Sequence, residues 1–147
     1  MEHRCFQSRL GVAMALAFAL TCMTGDFAFA ACLAQIDQPV IGKFLADPAR
    51  ILKDNPNGGP AMIAALRDLA VANPVTLQTI IGLLPSANAA QKAAVGTAFG
   101  QAAQACLTTH AAYAAEIQEQ LAASGDQPAI LALAAVMGDL PIGVHGR

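Results

Sequence analysis

The chain has 147 residues, a formal net charge of -2 and few charged side chains, 12% against 56% hydrophobic. That length accommodates one small domain. The balance excludes the basic surface on which nucleic-acid binding depends, since Lys43, Arg50, Lys53, Arg67 and Lys92 are scattered with aspartates among them.

The N-terminus MEHRCFQSR places Arg4 and Arg9 before the apolar run LGVAMALAFALTCM, which is followed by the polar break TGD and then AFA. A positive start, an apolar stretch too short to span a bilayer and small residues two apart together describe a secretory signal peptide over residues 1-30. Ala28 and Ala30 satisfy the small-x-small rule, so cleavage is expected after Ala30. The remaining chain, Ala31 to Arg147, has 117 residues (147 less 30), of which 28 are alanine. Alanine is the strongest helix former, and β-branched runs of strand length are missing, so residues 31-140 are expected to form an all-α domain.

Proline and glycine punctuate that domain. Asp47-Pro48 reads as an N-cap and first helical residue, opening a short helix through Ile51 and Leu52 that stops at the turn Asn55 to Pro60. From Pro60, Met62, Ile63, Leu66, Leu69 and Ala70 share one helical face while Arg67 and Asp68 lie away from it. Asn73-Pro74 repeats the cap device and begins a helix with the stripe Leu77, Ile80, Ile81 and Leu84, closed by Pro85 and Ser86. Asn88 followed by Gln91 forms a capping-box pattern. It opens a helix over roughly 89-108 that contains the small-residue step Gly96 to Gly100, read as a site of close helix approach in a soluble bundle.

Tyr113, Ile117 and Leu121 then mark a further helix ended by Gly125. Asp126 and Pro128 start a last one, AILALAAVM, whose continuous apolar run reads as the buried helix of the bundle. Residues 141-147 read as a flexible tail. The expected architecture is a single irregular bundle of five or six short helices following the cleaved signal peptide, with no transmembrane span in the mature chain.

The runs NPNGGPAMIAALRDLAVANP, TLQTIIGLLPSANAAQKAAVGTAFGQAAQAC and YAAEIQEQLAASG resemble a group of uncharacterised small alanine-rich exported helical proteins of alphaproteobacteria. The resemblance rests on the 64 residues of these three runs. It implies an exported helical domain and carries over no catalytic residue.

Chemistry-bearing residues are sparse. Glu116 and Glu119 are i,i+3 neighbours on one helix face, whereas paired carboxylates for acid-base work come from separate elements meeting in a cleft. No catalytic or phosphate-binding motif is present. Cys106 and His110, four residues apart, would share a face if their helix ran that far, and with Cys32 they would make a metal site or a nucleophile with its base. Thr109 offers the competing possibility of a helix cap that separates them.

Cys32 also raises the question of a lipid anchor, but Phe29 at -3 does not fit lipoprotein processing, and Cys22 carries Ala19 at -3 and Thr21 at -1. Removal of the signal leaves Cys32 and Cys106 as the one possible intramolecular pair in an oxidising compartment, so a disulfide between them is the leading expectation. Cys106 lies two turns from Phe99 on the same stripe, which turns it toward the packed side.

The resulting functional expectation is a periplasmic or secreted helical protein that is not an enzyme and needs no metal or cofactor. It would act by binding or structural interaction with a protein or envelope partner. A thiol or metal site at Cys32, Cys106 and His110, or a lipid-anchored envelope protein, are the alternatives.

Overall fold

The computed structural model describes Cys32 and residues 37-138, so the expected signal peptide, its cleavage site after Ala30 and the tail 141-147 lie outside the described residues. Seven α-helices follow in order: α1 Gln38–Ala46, α2 Arg50–Asp54, α3 Pro60–Ala72, α4 Pro74–Leu83, α5 Ala89–Cys106, α6 Ala111–Ala123 and α7 Gln127–Met137, with a 3₁₀ turn Leu84–Ser86 after α4. There is no strand among the described residues. The all-α bundle is as expected, and it contains one helix, α1, that the reading of the sequence did not anticipate.

Three of the expected helix starts are made as the side chains dictate. Asn73 Oδ1 accepts the Val75 N–H at 2.9 Å, and Asp126 Oδ1 accepts that of Ala129 at 3.2 Å. The capping box closes both ways, with the Gln91 N–H donating to Asn88 Oδ1 and the Asn88 N–H donating to Gln91 Oε1, each at 2.9 Å. These contacts satisfy donors that a helix otherwise leaves orphaned in its first turn.

Asp47 behaves differently. Its N–H donates to the Lys43 carbonyl, so it terminates α1, and α2 begins at Arg50 without a side-chain cap. The expected N-cap at Asp47-Pro48 is therefore a turn between two helices.

Helix α5 is the centre of the bundle, packed against α7, α3 and α6. Its buried residues occur all round the helix and are mostly small: Gln91, Ala94, Val95, Gly96, Ala98, Phe99, Gly100, Ala102, Ala103 and Cys106. The expected stripes of α3, α4 and α6 face it or one another, with Met62, Leu66, Leu77, Ile80, Ile117 and Leu121 fully buried. Close approach at the two glycines is real. A Cβ on Gly96 would collide with the Ala129 carbonyl, and one on Gly100 would stand 2.7 Å from Val136 Cβ.

The expectation that AILALAAVM is the buried helix is not met, because α5 takes that position. On α7 only Ala129 is buried. Leu131 is 66% exposed, and Ala134 and Ala135 also face outward. The glycine contact needs only the inner side of α7, so its apolar residues on the opposite side remain uncovered.

Candidate functional site around the Cys32–Cys106 bridge

The chemistry-bearing residues gather where α5 ends. Cys106 is its last residue, and the α5 packing that buries Phe99 also buries Cys106 completely. Cys32, partly buried against the same core, is joined to it by a disulfide with the two Cα atoms 5.1 Å apart and a sequence separation of 74. This separation lies within the range a bridge requires.

Beyond Cys106 the chain turns sharply. The Cys106 carbonyl accepts the N–H groups of Thr109 at 3.2 Å and His110 at 2.7 Å. His110, the residue immediately before α6, makes no side-chain cap, but its carbonyl accepts the Tyr113 and Ala114 N–H groups at 2.9 and 3.0 Å. Thr109 is exposed and is not the cap of α6. Of the two possibilities, a helix running from Cys106 to His110 or a break between them, the chain takes the break: the turn places the histidine at the start of the next element, with His110 and not Thr109 in the cap position. Its Nδ1 is buried and meets no hydrogen-bond partner among the described residues.

Tyr113 ties α6 to the end of α3 by donating its hydroxyl to the Ala70 carbonyl at 2.5 Å. Ala70 is in the last turn of α3, where carbonyls lack helical partners. Burial, followed by the nearby Glu116 charge, pushes the phenol well above its ordinary range, so Tyr113 serves as a neutral donor and not as a base. Glu116 accepts from Gln120 at 2.7 Å, whereas Glu119 is exposed.

What this arrangement can do follows from the sulfurs. While they are bonded to each other, neither is a thiolate, and thiolates are what bind metal or attack as nucleophiles. The bridge and the Cys32, Cys106 and His110 ligand reading are mutually exclusive states of the same atoms. Among the described residues no group of three His, Cys, Asp or Glu side chains is placed to hold a metal ion. A bridged Cys32 also has no sulfur to offer an acyl anchor, and no described helix is long and apolar enough to cross a membrane.

Two interactions at the opposite end of α5 were not legible beforehand. Gln91 Nε2 reaches out of the capping box to the Leu52 and Asn55 carbonyls at 2.8 and 3.0 Å. Asn88 Nδ2 donates to the Pro56 carbonyl at 2.7 Å. Their capping pattern was visible, but their tertiary partners are more than thirty residues away. No protein-family model matches this chain, and no significant match exists among curated proteins or solved structures.

Proposed function

We propose that this chain is an exported small helical protein, periplasmic or secreted, that acts by binding or structural interaction with a protein or envelope partner and not by catalysis. The observation that carries the reading is the Cys32–Cys106 bridge, because structural disulfides persist in oxidising compartments and are rare where thiols are kept reduced. The signal-like N-terminus and the resemblance to alanine-rich exported proteins of alphaproteobacteria belong to the same proposal.

Support for interaction over chemistry comes from α7. No residue from Gln127 to Met137 is charged, although Leu131, Ala134 and Ala135 are exposed. Solvated helices usually carry charge on their outer face, and exposed apolar surface is a mark of association.

The test is the intact mass of the exported protein with and without reductant. The expected product begins at Ala31 and gains the mass of two hydrogens on reduction. A product retaining residues 1-30 would refute export by cleavage, free thiols before reduction would favour the thiol or metal alternative, and an added acyl mass would favour the lipid-anchored one.

A further inference from the structure

We propose that the Cys32–Cys106 bridge is a reductively opened latch on α1: a dithiol reductant breaks it, and α1 then leaves a bundle that otherwise stays folded. The proposal rests on how unequally the parts of the molecule are held.

Helix α1 has little of its own to keep it in place. It has nine residues, Asp37 makes no side-chain cap, and only Ile41 and Phe44 are buried. Val40 and Leu45 are exposed. Gly42 lies in its middle, where glycine weakens a helix, and helices of this length do not persist alone in water. Its packing is limited and is directed mainly at α4. What remains among the described residues is attachment at both ends. The chain continues into α2 on one side, and on the other Cys32, six residues before Gln38, is bonded to the end of α5.

The rest of the bundle has packing of its own. The largest fully buried side chains, among them Met62, Leu66, Leu77, Ile80, Phe99 and Ile117, belong to α3, α4, α5 and α6, and none belongs to α1. A reduced Cys106 can stay where it is, since a buried thiol packs as a small apolar group. Local opening of the least packed element before the core is the ordinary order of events in native proteins.

Access favours attack from the Cys32 side, because Cys32 is partly exposed and Cys106 is not. One thiolate of the dithiol attacks Cys32 Sγ, forming a mixed disulfide while the S–S electron pair leaves on Cys106 Sγ, which takes up a proton. The second thiolate then attacks the reductant's own sulfur in the mixed disulfide and expels Cys32 as a thiolate that is protonated in turn. The two cysteines gain two electrons, and the dithiol is left as a disulfide. Release of α1 exposes Ile41 and Phe44 together with the surface they cover.

The test is native-state amide hydrogen exchange, resolved by peptide, on the whole chain before and after treatment with dithiothreitol. Reduction is expected to lower protection across 38-46 on the order of tenfold or more and to leave it well below that of 89-106, whose exchange follows only the stability of the whole bundle. Cys32→Ser should reproduce the effect without reductant. In the reduced chain, Gly42→Ala should restore part of the protection, since its added Cβ meets nothing within 4 Å and strengthens the helix. Protection of α1 that survives reduction, protection of α5 that falls to the level of α1, or no restoration by Gly42→Ala would each overturn the latch.

Discussion

Gly96 and Gly82 both lie within helices, yet a methyl group added to each should have opposite consequences. At Gly96 the new Cβ meets the Ala129 carbonyl and lies 2.9 Å from Ala132 Cβ. Backbone cannot swing aside as a long side chain does, so Gly96→Ala should lose about 1-3 kcal/mol through overpacking. At Gly82 nothing stands within 4 Å, and Gly82→Ala should gain about 0.5-1 kcal/mol from reduced backbone entropy in the unfolded chain. Urea denaturation of the two variants beside the parent measures both signs.

Tyr113 gives a second prediction at this scale. Because its phenol is pushed above the ordinary value of 10.0, the folded chain holds the proton more tightly than the unfolded chain does. The resulting stabilisation is complete below about pH 10 and is lost as pH rises through the folded value. Tyr113 is the one tyrosine in the chain, so tyrosinate absorbance in an alkaline titration reports it alone. Ionisation is expected to lag behind that of the urea-unfolded chain, and coincident titrations would contradict the buried Tyr113–Ala70 contact.

Among the elements, α3, α4 and α5 were readable because local chemistry and tertiary packing agree there. Asn73 and Asn88 cap with their own side chains, and the apolar spacing matches the buried face. Helix α1 was not readable, because Gly42 and a short apolar pattern give no strong local preference, and two buried anchors decide the matter. Asp47-Pro48 resembles Asn73-Pro74 in sequence, but a preceding helix uses Asp47 as its end, which a local rule does not register. The apolar run of α7 reads as buried because periodicity cannot reveal that α5 receives it through glycines on one side. For the candidate site, the Cys32 and Cys106 pairing followed from elimination, whereas the position of His110 depended on a turn that single-residue preferences do not specify.

The capping contacts make their own prediction. Asn88→Ala removes both the box and the link to Pro56 and should cost about 0.5-2 kcal/mol. Gln91→Leu should cost more than Asn88→Ala, since it strips the buried Leu52 carbonyl and the half-buried Asn55 carbonyl of a donor as well. Thermal unfolding followed by circular dichroism ranks the two variants, and a reversed order would place the weight on the cap alone.

For the whole molecule, the bridge compensates for a core in which alanine and glycine occupy much of the central helix. In the chain-entropy account, closing a loop of this size restricts the unfolded ensemble by roughly 4 kcal/mol, a large share of the roughly 5-15 kcal/mol that holds a small domain folded. Reduction should therefore move the urea midpoint to lower concentration while leaving a cooperative transition from a helical state. Equal midpoints for the oxidised and reduced chains would mean that the bridge adds nothing beyond packing.

The same bond divides the polymer mechanically. It encloses α1 to α5 in a covalent ring and leaves α6 and α7 outside it. Stretched from its two termini, the oxidised chain can pay out only the segments outside the ring, so α6 and α7 bear the load and unravel while the 74-residue span between the cysteines stays hidden. Cutting the bond under tension should free about 250 Å of additional contour length, a single step that force spectroscopy with a reductant in the buffer would resolve.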